Sequence, residues 1–167
     1  MNFKKILFFL LIVTLVNIIF GKISLLLISL NEHYSLPIYD NFYFKIIGTI
    51  FLVVGICILI YCVILHLKTG RKTPFPVVEE PKQLIVGNFY KYCRNPMYFA
   101  EIAMLLGNFF LTGYLLLLLY TLIVFLVIHL FVIYVEEPEL YKIFGENYKR
   151  YVILVPRWIP RMTKNFD

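Results

Sequence analysis

The segment FKIIGTIFLVVGICILIYCVILHL, from Phe44 to Leu67, is apolar over almost its whole length. A helix needs about 20 predominantly apolar residues to span the hydrocarbon core of a bilayer. The segment meets that length and contains no proline. It is therefore predicted to be a transmembrane helix.

Three further apolar segments occur, at Ile6–Leu30, Met97–Leu111 and Tyr114–Val135. As a helix, Met97–Leu111 extends only about 22 Å against a hydrocarbon core of about 30 Å, so we expect it to be tilted or not to span fully. A tight turn at Thr112 and Gly113 joins the last two segments as a hairpin. The sequence thus predicts an all-α fold, a polytopic transmembrane helical bundle of about four spanning helices.

The composition supports the same class of protein. Of the 167 residues, 61% are hydrophobic, whereas soluble domains are about 45–50% apolar. We expect one membrane domain, 1–167, with its N-terminal helices in 1–67. The net charge of +6 arises from basic residues beside the apolar segments, which is typical of the cytoplasmic side of a membrane protein and not of nucleic-acid binding.

The loops predict the orientation. The segment NEHYSLPIYDN, between the first two apolar runs, is acidic. The stretch after the second run is basic, with Lys68, Arg71, Lys72, Lys82, Lys91 and Arg94. Cytoplasmic loops carry an excess of Lys and Arg, so both termini and this central loop are predicted to be cytoplasmic. The polar regions 68–95 and 136–167 then lie on the same side.

The motif RNPMY, residues 94–98, opens the third apolar segment. Asn95 followed by Pro96 indicates a helix start, with an N-cap acceptor and a proline at the first helical position. A purely structural role is open for both, and for Arg94 and Tyr98 as interfacial residues. Glu101, one turn further in, is costly inside a membrane and should face a cavity or a partner, for which Arg94 is one candidate.

The second polar region reads VEEPELYKIFGENYKRYVILVPRWIP. Glu136 and Glu137 end the fourth apolar run, against both the helix dipole and the cytoplasmic preference for cations. This placement indicates a cationic ligand or cationic neighbours; alternatively, Pro138 starts a new interfacial helix whose N-terminus the glutamates favour. An amphipathic interfacial helix, broken at Gly145, is predicted beyond it.

The cysteines and His129 are the remaining candidates for site residues. The three cysteines are expected to be small packing residues, and no metal site is predicted. His129 shares a helix face with Glu136, but a packing or hydrogen-bonding role is expected for it.

The order of the two motifs, separated by an apolar hairpin, resembles the integral membrane family of isoprenylcysteine carboxyl methyltransferases and phospholipid methyltransferases. The resemblance covers Pro74 to Pro160, which would form the catalytic region 74–160. It implies S-adenosylmethionine as cofactor, bound at the cytoplasmic end. The candidate catalytic residues, Arg94 and Glu101, follow from the chemistry of the residues and not from the resemblance. The implied cofactor-binding residues are Leu84, Ile85, Tyr90, Asn95, Pro96, Met97, Tyr98, Glu136 and Glu137.

The resemblance also implies an amphipathic acceptor that reaches the site from the membrane lipids. Carboxyl O-methylation of an isoprenylcysteine-like acceptor is the first expectation, and phospholipid or small-amine N-methylation is the alternative. An amine must lose a proton, which would give Glu101 or His129 a role as base. Val132 stands where the eukaryotic-type members have an arginine that helps to hold the substrate. A lipid-binding protein without catalysis and a sterol-reductase-like enzyme using a nicotinamide cofactor are the rival readings.

Overall fold

A computed structural model of the chain describes residues 3–68 and 84–161. Within these ranges the fold is all-helical, and the only bridge between extended residues joins Ile38 to Tyr114. Four residues that were used in the sequence predictions lie outside the described ranges, namely Arg71, Lys72, Pro74 and Lys82. The helices are α1 (Phe3–His33), α2 (Phe42–Lys68), α3 (Pro96–Thr112), α4 (Leu115–Phe131), α5 (Glu137–Phe144) and α6 (Glu146–Leu154), with a 3-10 turn at Asn88–Lys91 and a π turn at Val132–Glu136.

Three helical stretches are long and apolar enough to cross a membrane, Leu10–His33, Phe42–Lys68 and Leu115–Phe144. The remaining apolar helix, α3, has 17 residues and would extend about 25 Å. The predicted polytopic helical bundle is confirmed, with three candidate spans and one shorter helix, as the brevity of the third segment suggested.

Helices α2 and α3 approach each other closely through small residues. A Cβ built on Gly107 would lie 2.9 Å from the carbonyl oxygen of Gly48, and one built on Gly48 would lie 2.8 Å from the carbonyl oxygen of Gly107. Small residues at such a crossing let the backbones approach in a membrane, where van der Waals contact drives helix association. This contact fixes the helix that carries the RNPMY motif.

We expect Gly107→Ala to lower the free energy of unfolding by about 1–3 kcal/mol, the usual cost of overpacking a well-filled contact. Gly21→Ala in α1 is the matched control, since a Cβ there meets nothing within 4 Å and alanine favours a helix over glycine by about 1 kcal/mol. Thermal unfolding in detergent should move in opposite directions for the two variants. An equal response would contradict the close α2–α3 contact.

The end of the bundle away from the motifs is closed by the loop between α1 and α2. Gly113 adopts φ 75°, and a Cβ on it would lie 2.5 Å from the carbonyl oxygen of Tyr39. The fully buried Asn31 accepts a hydrogen bond from the backbone N–H of Leu116 at 3.1 Å. Asn31 thereby supplies, from α1, an acceptor for the first turn of α4, and the α3–α4 hairpin is confirmed.

At the opposite end, α4 does not stop at the two glutamates. The helix continues through the π turn into α5, with Pro138 at the start of that helix. Proline has no N–H to donate to the preceding turn, and a π turn commonly accommodates such an interruption. Glu136 and Glu137 end the apolar run as predicted, and α5 begins at Glu137 with Pro138 in its first turn, as the alternative expected. The helical stretch Leu115–Phe144 is nevertheless continuous through the π turn.

The predicted break at Gly145 is confirmed. Gly145 has φ 52° and separates α5 from α6. After it, Tyr148, Tyr151 and Val155 are buried together and pack against Leu84 and Leu140. Helix α6 thus folds back over the end of the bundle where α2 ends, α3 begins and α4 continues into α5, which we call the site end.

Candidate functional site

A cavity of about 550 Å³ lies at the site end. Its wall includes parts of α1, α2, α3, α4, α5 and α6. All the site residues predicted from the sequence line it except Pro96, namely Leu84, Ile85, Tyr90, Arg94, Asn95, Met97, Tyr98, Glu101, Glu136 and Glu137. The two motifs, about 40 residues apart, therefore meet around one cavity.

The helix start at the RNPMY motif differs from its prediction in one respect. Pro96 is the first residue of α3, and the Phe99 N–H donates to the Asn95 carbonyl at 2.9 Å, as expected. The Asn95 side chain makes no capping hydrogen bond, so its predicted N-cap role is wrong. Its Nδ2 instead donates to the Arg157 carbonyl at 3.1 Å, because the C-terminal segment passes beside the turn.

Glu137 is held by two arginines. Arg94 Nη1 donates to its Oε1 at 2.8 Å, and Arg157 donates from Nε and Nη2, each at 2.8 Å. Hydrogen bonding to Glu137 raises the pKa of Arg157, so this cation stays charged. Glu137 therefore has the cationic neighbours that were one of the two explanations predicted for the glutamate pair. The predicted pairing of Arg94 with Glu101 is wrong, because Arg94 binds Glu137.

The C-terminal segment, residues 155–161, lies along the loop that precedes α3. The Arg94 N–H donates to the Pro156 carbonyl at 2.9 Å, and the Arg161 N–H donates to the Tyr92 carbonyl at 3.1 Å. Cys93 Sγ lies 3.2 Å from the Trp158 carbonyl, and burial raises the pKa of this thiol to about 11. The segment thus fixes the position of Arg94 and Asn95 from outside the cavity.

His129 has the hydrogen-bonding role expected for it. Its Nδ1 accepts a bond of 2.9 Å from Trp158 Nε1, and both rings contact Phe125. His129 does not line the large cavity. It therefore anchors the C-terminal segment to α4.

The polar part of the cavity contains buried groups with unused hydrogen-bonding capacity. Among residues 3–68 and 84–161, neither the Tyr98 hydroxyl nor Arg94 Nε has a hydrogen-bond partner. Glu136, which is 8% exposed, lies close enough to Tyr98 to act on its hydroxyl. Buried polar groups are normally hydrogen-bonded, so these atoms are suited to a polar ligand that fills the cavity.

His66 was missed by the sequence analysis. It is 2% exposed, near the end of α2, and lines the cavity. Its Nδ1 lies 2.8 Å from the Cys62 carbonyl, to which it can donate, and its Nε2 lies 3.4 Å from the Tyr90 hydroxyl. The sequence does show an ionisable residue near the end of a predicted spanning helix, and such residues commonly belong to a functional site.

The other part of the cavity wall is apolar and comes largely from α1 and α4. Val13, Val16 and Phe20 of α1 line the cavity together with Ile128 and Phe131 of α4. None of these side chains was predicted, since they are ordinary members of long apolar runs. The cavity therefore has a polar region toward the motifs and an apolar region within the bundle.

Glu101 lies between these two regions. It is 7% exposed, and its Oε1 accepts a hydrogen bond of 3.3 Å from Asn17 Nδ2 of α1. Asn17 also donates to the Val13 carbonyl of its own helix at 2.9 Å, which orients its amide. The partner of Glu101 therefore comes from the first helix and not from the RNPMY motif.

Comparison with known proteins gave one match. The family model of phospholipid methyltransferases matches residues 43–147, which is more than half of the chain and includes α2, α3, α4 and α5. No curated protein and no solved structure matches the chain.

Proposed function

We propose that S-adenosylmethionine is the methyl donor of this chain, which belongs to the phospholipid methyltransferase family. A membrane methyltransferase must bring a donor and an acceptor together beside a bilayer. The observation that supports this donor is the cavity at the site end, where buried polar atoms of both motifs converge.

The donor's groups fit the residues present. S-adenosylmethionine supplies a methyl group activated by a cationic sulfonium, and it also presents an ammonium, a carboxylate and a ribose diol. We assign Glu136 to the ammonium or the diol, and the unpartnered Nε of Arg94 to the carboxylate. The aromatic faces of Tyr90 and Tyr98 are assigned to the sulfonium or the adenine.

The chain itself contributes positioning and the exclusion of water. In-line methyl transfer requires little covalent work, so most of the rate comes from alignment of the two reactants. Glu137, by holding Arg94 and Arg157, fixes one side of the donor region. The apolar region formed by α1 and α4 receives the hydrocarbon part of the acceptor.

An amine is the better supported acceptor. Arg94 is the only Arg or Lys among the described residues that line the cavity, and it is paired with Glu137. The lining includes three carboxylates, from Glu101, Glu136 and Glu137. An anionic acceptor would therefore face an acidic wall, and Val132 offers no charge where an arginine was noted in the prenylcysteine-type enzymes. We accordingly place N-methylation ahead of carboxyl O-methylation, reversing the order expected from the sequence.

The site end is proposed to be cytoplasmic. Lys68, Lys91, Arg94 and Arg157 lie at this end, whereas the opposite end carries Glu32, Asp40 and one lysine, Lys45, which is paired with Asp40. Short cytoplasmic loops carry an excess of Lys and Arg. The donor would then enter from the cytoplasm and the acceptor from the lipid.

Tyr98→Phe tests the assignment of the donor. Removing the hydroxyl should reduce affinity for S-adenosylmethionine by about threefold to tenfold, the effect of one hydrogen bond of about 0.5–1.5 kcal/mol. The melting temperature should fall only slightly, because the hydroxyl lies beside Glu136 but forms no hydrogen bond of normal geometry within residues 3–68 and 84–161. Titration calorimetry on protein in lipid nanodiscs measures the affinity.

Tyr120→Phe is the matched control. Its hydroxyl is also buried and has no hydrogen-bond partner in the described chain, but Tyr120 does not line the cavity. Donor affinity should be unchanged in this variant. Equal affinities for the wild type and Tyr98→Phe would show that the Tyr98 hydroxyl does not bind the donor. Saturable binding of a nicotinamide cofactor in place of S-adenosylmethionine would refute the proposed donor.

A further inference from the structure

A second cavity, of about 180 Å³, lies next to the first. Glu101 and Phe20 line both cavities. The second cavity is also lined by Asn17, Ser24 and Asn108, three polar side chains from apolar helices. Polar residues are costly inside a membrane bundle and commonly mark a site or a water-filled path.

The carboxylate of Glu101 has little compensation for its burial. Among the described residues it forms no ion pair, and its hydrogen-bond donor is the neutral amide of Asn17. Burying an ionised carboxylate without a cation is unfavourable. A cation placed in the large cavity, or a proton on Glu101, would relieve this cost.

We propose that Glu101, oriented by Asn17 of α1, binds the ammonium group of the acceptor and takes its proton, and that the second cavity is the route by which this proton leaves. This inference rests on the proposed function. It assigns a reaction role to α1, in a part of the chain that the family model does not match.

The proton transfer makes the acceptor reactive. An N–H bond of the ammonium breaks, its proton forms an O–H bond with Glu101, and the electron pair stays on nitrogen. That pair then forms the bond to the methyl group, and the electrons of the broken S–C bond remain on sulfur. Charge is conserved, because Glu101 becomes neutral as the ammonium becomes an amine.

The second cavity has the polarity that a proton route needs. A water requires two to four polar partners, and Asn17, Ser24 and Asn108 provide such groups around the space next to Glu101. Ser24 is a polar residue of α1 that is only 4% exposed. Protonated Glu101 can therefore lose its proton away from the donor region, which is already acidic.

Binding of dodecylamine, compared with dodecanol of the same chain length, tests the inference without turnover. In nanodiscs, the wild type should bind dodecylamine about tenfold or more tightly than dodecanol, as expected for a charge-assisted hydrogen bond. Glu101→Gln should lose this preference and keep the wild-type affinity for S-adenosylmethionine. Asn17→Leu should weaken the preference, since Asn17 acts through Glu101.

The rate of methyl transfer to dodecylamine is also measured as a function of pH. If Glu101 had only a structural role, its substitution would not change the shape of this profile. Loss of the base should slow transfer by about 100-fold or more near neutral pH, and Glu101→Gln should recover rate as the pH approaches the pKa of the free amine. Glu101→Asp, which keeps a carboxylate, should restore part of the preference and the rate. Thr121→Val, which removes a buried hydrogen bond to the Leu117 carbonyl outside both cavities, is the control for stability.

The outcomes separate the two proposals. If Glu101→Gln retains both the amine preference and the neutral-pH rate, the inference is overturned and the proposed function stands. If the wild type binds no S-adenosylmethionine, the proposed function fails, and the dodecylamine comparison still decides whether Glu101 is an ammonium site. Should Glu101→Gln not fold, Asn17→Leu and Glu101→Asp give the same comparison.

Discussion

Glu137→Gln is expected to lower the free energy of unfolding by about 3 kcal/mol or more, the effect of removing one partner from a buried ion pair. Glu137 takes three hydrogen bonds of 2.8 Å from Arg94 and Arg157. An amide in its place carries no charge and has one acceptor oxygen. The side chain of Arg94, only 8% exposed, would be left as an uncompensated cation.

Thermal unfolding of the purified protein in detergent measures this loss. Glu146→Gln is the matched control, because Glu146 also accepts a bond from a basic residue, Lys149, at 3.2 Å, but its side chain is 77% exposed. Exposed pairs contribute about 0–1 kcal/mol. If the two variants melt at the same temperature, the ion pairs of Glu137 with Arg94 and Arg157 do not stabilise the site end.

Glu136→Gln should weaken binding of S-adenosylmethionine by about tenfold to a hundredfold, since a hydrogen bond to a charged group contributes about 1.5–3 kcal/mol. Glu136 lines the cavity beside Tyr98, and the hydrogen bonds of Arg94 and Arg157 go to its neighbour Glu137. We assign the charge of Glu136 to the donor. The melting temperature should fall less than in Glu137→Gln.

Titration calorimetry in nanodiscs measures the donor affinity. Glu139→Gln is the control, because this carboxylate lies three residues further along the same helical stretch, pairs with Lys142 and does not line the cavity. Its affinity for the donor should equal that of the wild type. A loss of affinity in Glu139→Gln as large as in Glu136→Gln would indicate a general effect of surface charge and would contradict the assignment.

Together, these two variants separate the adjacent glutamates by role. Glu137 takes the hydrogen bonds of Arg94 and Arg157, whereas Glu136 lines the cavity beside Tyr98 and is the carboxylate that we assign to the donor. Glu136 is the last residue of the π turn, and Glu137 is the first residue of α5. The two adjacent side chains can therefore have different surroundings. Both side chains are buried, at 8% and 7% exposure.

The helices could be predicted because apolar runs of sufficient length report directly on a membrane bundle. The meeting of the two motifs could also be predicted, since a short hairpin returns the chain to the side from which it came. The cavity lining at Tyr98 and Glu136 follows from that topology. The chemistry expected of these residues stays a prediction.

The partners within the site could not be read from the sequence. Arg157 binds Glu137 because α6 folds back after Gly145, and no local pattern indicates how far the C-terminal segment then travels. The N-cap prediction for Asn95 failed for the same reason, since the Arg157 carbonyl is its partner. Asn17 and His66 were missed because several scattered polar residues occur in each of these apolar runs. The sequence pattern does not show which of them point into the bundle.

Transfer of a labelled methyl group tests the central claim most directly. Purified protein is incubated with S-adenosylmethionine labelled in its methyl group and with a membrane extract, and the acceptor that gains the label is identified after organic extraction. We predict that the label enters an amphipathic amine, and that Glu136→Gln transfers far less label than the wild type or Glu139→Gln. Donor binding without transfer to any fraction, or equal transfer by Glu136→Gln and the wild type, would contradict this account of the site.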